Sequence, residues 1–243
     1  MKVYPPADVR NFAIVGHAAA GKTMLNESML MCAGVINRMG TIAGGNTVSD
    51  YHDEEHKRQI SIHASLSHFE WQGKKFNVID TPGYMDFISE ALGALRVGDF
   101  ALVVVSAQHG IGVGTGQVWD WATEFGLPKV CVINAVDKEH IDFDKVLAQL
   151  RERFGNKIFP MTLPINPGPG FNQCLDVMRS EVVTYAKDGS GKFDEVPADG
   201  QWKERVEELH KQLMELIAES DDTLLEKFFE QGGLSEEDRK SVV

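Results

Sequence analysis

Apolar residues change their spacing repeatedly along the first two thirds of this chain. NFAIVG (11–16) is an almost unbroken apolar run closed by glycine and reads as a buried strand. KTMLNESMLMCAG (22–34) switches to helical spacing and predicts a helix from Lys22 ending near Gly34. SIHASLSHFEW (61–71) and FNVID (76–80) read as two strands joined by a tight turn at Gln72 and Gly73. A helix then places Phe87, Ile88, Ala91, Leu92 and Leu95 on one face. FALVVVSA (100–107) is a strand, VWDWATEF (118–125) a helix, KVCVINAV (129–136) a strand and FDKVLAQLRERFG (143–155) a helix. Apolar strands separated by helices predict an α/β fold, a mostly parallel sheet covered on both faces.

Two regions escape this alternation. Residues 40–59 have no period and are rich in Gly, Asp, Glu and His, which predicts a long mobile loop. Past about Phe159 the texture changes: MTLPINPGPGFNQ (161–173) is rich in Pro and Gly, and 180–200 resembles short strands with turns. QWKERVEELHKQLMELIAES (201–220) carries Trp202, Val206, Leu209, Leu213 and Ile217 at helical spacing with charges between them. These features predict a smaller α+β sub-domain with an amphipathic helix, a second helix around LLEKFFEQ (224–231) and the start of another at LSEEDRK (234–240). The expected division is 8–158 for the larger domain and 159–243 for the sub-domain.

Composition narrows the functional classes. The 243 residues include 24 Lys+Arg against 36 Asp+Glu, a net charge of −12. So acidic a surface argues against broad or sequence-specific nucleic-acid binding by this segment. The longest apolar runs are too short to span a bilayer, so no membrane is expected. Three scattered cysteines, Cys32, Cys131 and Cys174, all in apolar stretches, suggest reduced, buried thiols and a cytoplasmic location.

Three motifs carry chemistry. Gly16, His17, Ala18, Ala19, Ala20, Gly21, Lys22 and Thr23 fit G-x-x-x-x-G-K-[ST], placed between a strand and a helix as a phosphate-binding loop requires. There the backbone N–H groups and the helix dipole face the phosphates, Lys22 neutralises β and γ oxygens, and the Thr23 hydroxyl binds Mg²⁺. A Gly-rich turn that merely lets the helix pack is the plain alternative. In DTPG, Asp80 ends a strand where it can hold the Mg²⁺ water shell; Thr81 and Pro82 lead to Gly83, whose bare N–H can approach a γ-phosphate. In NAVD (Asn134, Ala135, Val136, Asp137), the Asp can accept both N–H donors of a guanine edge, which adenine lacks. GTP/GDP is the expected nucleotide.

The order phosphate loop, RQISI (58–62), DTPG, NAVD resembles the GTP-binding domain of translational GTPases, and elongation factor G in particular. Residues 40–62 look like that family's first switch, with Ser61 standing where a Mg²⁺-binding Thr is usual. LPINPGPGFNQCLDVM (163–178), followed by the acidic helix from Gln201, resembles the insertion that sets elongation factor G apart. The resemblance implies a P-loop NTPase fold (a G domain), ribosome-stimulated GTP hydrolysis in translocation, and partners in the ribosome's GTPase-activating region and stalk protein. For the acidic helix, contact with the stalk and a merely solvated face remain alternatives.

The sequence departs from this family in four places. Tyr84 stands where a His orients the attacking water; a phenol, ionising near pH 10, is a poor proton acceptor but can place a water by hydrogen bonding. Ala135 replaces a Lys whose stem lies along the base, a loss of at most roughly 2 kcal/mol. Ala19 replaces a loop Asp, which removes both a negative charge and a ligand for an auxiliary cation. The family's fifth guanine motif, S-A-x, is not reached before Val243, so a sub-domain truncated at its C-terminus is expected. Tyr84, Ala135 and that missing part keep a second reading open, a guanine-nucleotide module that does not hydrolyse. A third is a copy that no longer folds stably.

Overall fold

The computed structural model describes residues 2–188 and 191–218. The helices expected at 224–231 and from 234 lie outside the described residues. Two compact units appear, Met1–Val146 and one that begins at Leu147, within a helix.

The first unit is built on a five-stranded sheet in the order β2-β3-β1-β4-β5, where β1 is Val9–Gly16, β2 Ser65–Trp71, β3 Lys74–Asp80, β4 Phe100–Ser106 and β5 Lys129–Asn134. All neighbours run parallel except β2 and β3. That exception follows from a two-residue turn: Gln72 and Gly73 have φ 46° and 79°, the left-handed pair that matches the twist of a hairpin. The central strands are buried on both faces, with Ala13, Ile14, Val15, Val103 and Val104 fully inaccessible, as expected of unbroken apolar runs.

One face of the sheet packs under α1 (Lys22–Cys32), where Phe12, Ile14, Leu30, Phe69, Val78 and Leu102 form the core. Phe12 stacks on Phe100 with ring centroids 4.9 Å apart. Helices α3 (Ile88–Val97) and α4 (Val113–Glu124) pack against β1 and against each other. α4 begins at Val113, well before the helix expected at 118–125; Gly114 and Gly116 carry no side chain to pattern, so periodicity missed this first part. α5 (Phe143–Phe154) carries the chain into the second unit.

Residues 40–59 do not form the featureless loop that the missing period suggested. They contain α2 (Asp53–Arg58), and Thr47, Ser49, Asp50 and Glu55 are buried. Periodicity misses the segment because it is held by buried polar side chains rather than by an apolar face. The cysteines also differ from expectation: all are free thiols, but Cys32 is exposed at the last turn of α1 and Cys131 and Cys174 are only half-buried. β5 is an edge strand, so Cys131 has a neighbour on one side only.

The second unit is a four-stranded antiparallel meander, β6 (Thr162–Pro164), β7 (Gln173–Asp176), β8 (Glu181–Tyr185) and β9 (Phe193–Pro197), in sequence order. Leu163 and Leu175 face each other across β6 and β7 and are both buried. The amphipathic helix is α6, Gly200–Ala218, which buries Val206, Leu209 and Ile217 and leaves Glu204, Glu207, Glu208 and Glu215 exposed. His210 on α6 is 2.6 Å from the Val177 carbonyl. No helix among the described residues is long and apolar enough to cross a membrane.

Candidate functional site

The phosphate loop lies between the end of β1 and the start of α1. Gly16 has φ 143°, and a Cβ there would meet the Val104 carbonyl oxygen at 2.3 Å, so only glycine lets β1 turn so close to β4. Gly21, φ 90°, caps α1; a Cβ there would meet Asn134 Nδ2 at 2.3 Å. Between them Ala19 adopts φ 58°, a left-handed conformation that an alanine holds at a cost and an Asp tolerates better.

Lys22 is buried at 6% exposure, and its Nζ donates to the carbonyls of Gly16 (3.2 Å) and His17 (3.0 Å). Burial lowers its pKa to about 8, against the opposing pull of Asp80 and Asp50. A Cβ on Gly83 would lie 2.2 Å from Lys22 Nζ and 2.7 Å from the Ala18 nitrogen. The DTPG turn is therefore pressed against the phosphate loop. Thr81, 1% exposed, anchors that turn by donating to the Ile14 carbonyl at 2.7 Å, and Pro82 and Gly83 are buried with it.

Asp80 closes β3 with both carboxylate oxygens buried and without a well-formed hydrogen bond, although the Ser49 and Thr23 hydroxyls are close enough to favour its charge. Burial raises its pKa to about 6; the Ser49 and Thr23 hydroxyls and the Lys22 ammonium pull the other way, and the Asp50 charge adds to the rise. Asp50 Oδ2 is likewise buried and unpartnered, and burial raises that pKa too. Thr23 Oγ1 stands 3.2 Å from Ser61 Oγ. Orphaned carboxylate oxygens beside two hydroxyls form an all-oxygen donor set, the chemistry a hard divalent cation selects. Among the described residues no three His, Cys, Asp or Glu side chains come together as a metal cluster, so a cation here would take further oxygens from its ligand and from water.

Asn134 reaches across from β5 and donates to the Ala20 carbonyl at 2.9 Å, tying the NAVD turn to the phosphate loop. Ala135 has φ 61°, Val136 is half-buried, and Asp137 is 57% exposed with an oxygen 3.5 Å from Lys138 Nζ. Tyr84 is 43% exposed at the start of a short 3₁₀ turn, Met85–Phe87. The structure thus draws Lys22, Thr23, Ser61, Asp80, Gly83 and Asn134 together and leaves the side chains of Tyr84 and Asp137 open to solvent.

Sequence reasoning named His17 as a loop residue without giving it a partner, and it passed over Asn26 and Glu27. His17 Nδ1 accepts the Gly114 N–H at 3.3 Å, and a Cβ on Gly112 would lie 2.4 Å from its ring, so glycines ahead of α4 make room for it. Thr23, Asn26, Glu27 and Leu30 share one buried face of α1. Polar residues at core-facing positions of a helix were the available signal for Asn26 and Glu27.

Comparison with known proteins places the chain beside a sequence family and solved structures. The sequence profile of the elongation factor Tu GTP-binding domain matches residues 7–232. The crystal structure of a protein from Thermus thermophilus superposes with a TM-score of 0.89 at 33% identity, covering 97% of this chain and 35% of the other. The chain therefore spans about a third of the length of that relative.

Proposed function

Because this chain belongs to the elongation factor Tu GTP-binding domain family, the translational GTPases, we propose that it binds GTP and GDP with Mg²⁺ as the nucleotide domain of an elongation factor G-like protein. In this reading the amides from Gly16 to Thr23 wrap the phosphates and Lys22 exchanges its two carbonyl partners for phosphate oxygens. Thr23 and Ser61 ligate the cation, Asp80 holds its water shell, and Gly83 N–H meets the γ-phosphate. Asp137 selects guanine while Asn134 holds its turn in place. Mg²⁺ would neutralise charge between the β- and γ-phosphates. The observation that carries the reading is the pair of orphaned Asp80 oxygens at the end of β3, beside Thr23 of the phosphate loop.

Tyr84 takes the water-positioning place, with hydrolysis stimulated by the ribosome's GTPase-activating region. The acidic face of α6 is offered to the stalk protein, the location is cytoplasmic, and the parent protein acts in translocation. The domain is taken as 8–158, with the inserted sub-domain from 159.

Calorimetry of the chain with Mg²⁺ tests nucleotide choice: GTP binds well ahead of ATP, and Lys22→Ala weakens GTP roughly a hundredfold through two lost charge-assisted bonds. Equal binding of GTP and ATP would overturn the guanine assignment. A second reading, binding without hydrolysis, is favoured by the exposed phenol of Tyr84. Multiple-turnover hydrolysis with ribosomes separates the two on the longer protein. Stimulation in the wild type supports catalysis; none, with rescue by Tyr84→His, supports the binding module.

A further inference from the structure

Two carboxylates that this chemistry does not use are buried nearby. Glu27 and Glu55 are each 1% exposed, and each uses its oxygens to accept backbone N–H groups of the segment that carries Ser61. Glu27 stands one helical turn after Thr23 on the same face of α1. Its two oxygens accept from Gly40 N–H at 2.7 Å and Val48 N–H at 2.6 Å, so one side chain pins both ends of the stretch 40–48. The adjacent Asn26, fully buried, donates to Ser49 Oγ at 2.9 Å.

Glu55 does the same further along. One oxygen accepts from His52 N–H at 3.1 Å, and the other from Ile62 N–H at 2.9 Å and His63 N–H at 3.0 Å. Ser61, 3.2 Å from Thr23 Oγ1, immediately precedes that pair of amides. Burial alone would raise the pKa of Glu55, but the amides of Ile62, His63 and His52 outweigh it and the net shift is downward. An ionised carboxylate bound by several N–H groups makes shorter and stronger bonds than a neutral acceptor.

We propose that Glu27 and Glu55 are positioning residues of the nucleotide switch, clamps that present the Ser61 hydroxyl beside Thr23 and thereby set the preference for a nucleoside triphosphate over a diphosphate. The inference rests on the guanine-nucleotide reading above. The oxygens of both residues are taken up by backbone N–H groups of the segment. A diphosphate needs the phosphate loop, whose shape is set by its own glycines. A triphosphate with its cation also needs Ser61, and the position of Ser61 depends on the two clamps. A ligand shifts such an arrangement only as far as it binds the two states differently, so removing the clamps acts on the triphosphate alone.

The test is calorimetry on the full chain with Mg²⁺, titrating GDP and a non-hydrolysable GTP analogue into wild type, Glu27→Gln and Glu55→Gln. Glutamine keeps one acceptor and turns an NH₂ group against a backbone N–H. The analogue is expected to bind about ten- to a hundredfold more weakly to each variant, with GDP changed by less than about twofold. Equal losses for both nucleotides, or none, would reduce the carboxylates to structural props and overturn the proposal. A wild type that binds neither nucleotide sinks the guanine reading, and this inference with it. If the variants do not fold, hydrogen exchange on the wild type decides. The amides of Gly40, Val48, Ile62 and His63 are expected to exchange about tenfold more slowly with the analogue than with GDP, and equal rates overturn the idea.

Discussion

The phosphate loop and the segment 40–63 meet at Thr23 and Ser61, yet they are held in different ways. The loop keeps its shape chiefly through backbone conformation and close backbone contact: Gly16 and Gly21 at positive φ, a close approach to the β4 backbone and the first turn of α1, with the Asn134 side chain as a tie from a distant part of the chain. The segment takes its shape from side chains elsewhere, Glu27 and Asn26 on α1, together with its own Glu55, and Glu90 on α3 holds Ala64 just past its end. A conformation fixed mainly by backbone geometry is harder to release than one that hangs on distant side chains. A conformation fixed by remote hydrogen bonds can be released when those bonds are lost, which is the property a switch needs.

The comparison breaks most sharply at Gly16. Gly16→Ala forces a Cβ onto the Val104 carbonyl and imposes a φ of 143° on an L-residue. The expected loss is about 2–5 kcal/mol in urea denaturation. A loss under about 0.5 kcal/mol would mean that the loop is not held by its own backbone.

Asp80 comes next, where the loop and the DTPG turn meet. Its folded pKa of about 6 lies above the ordinary carboxylate value. Above pH 6 the group is ionised both folded and unfolded, and burial makes that costly. As pH falls from 6 toward about 4 the folded state takes up the proton first and the cost disappears. Asp80→Asn without Mg²⁺ is therefore expected to stabilise the chain by about 2–3 kcal/mol at pH 7 and hardly at all at pH 4. Denaturation at the two pH values reads the difference, and an equal effect at both would contradict it.

The smallest effect concerns Ala64, the residue just past the segment. Ala64 N–H donates to Glu90 Oε2 at 2.9 Å. Glu90→Gln keeps an acceptor and is expected to cost about 0.5–1 kcal/mol, seen as faster hydrogen exchange at the Ala64 amide with the Gly16 and Gly21 amides unchanged. Faster exchange throughout the phosphate loop would show that the two regions do not stand apart.

Much of this was readable in the chain. Nearly unbroken apolar runs at 11–16 and 100–105 led directly to β1 and β4, and Gln72-Gly73 to the hairpin turn. The motif spacing placed Lys22, Thr23, Asp80, Gly83 and Asn134, and the fold brings all five to one end of the sheet. The helix α2 and the buried polar groups around it were not readable, because neither apolar periodicity nor a known spacing marks a carboxylate that binds amides twenty residues away. The exposure of Cys32 was hidden for a related reason: an apolar neighbourhood in sequence does not say which side of a helix is covered.

By itself, then, the sequence determined the fold class, the strand–loop–helix that forms the phosphate loop and the family to which the chain belongs, since each follows from local spacing and local backbone preference. Only the tertiary structure decided where the segment 40–63 lies, that Asp80 is left with unsatisfied oxygens, and that the buried Glu27 and Glu55 carboxylates accept that segment's amides. Those properties come from burial and from hydrogen bonds between residues distant in the chain, and such partners acquire a distance only once the sheet and its helices have assembled.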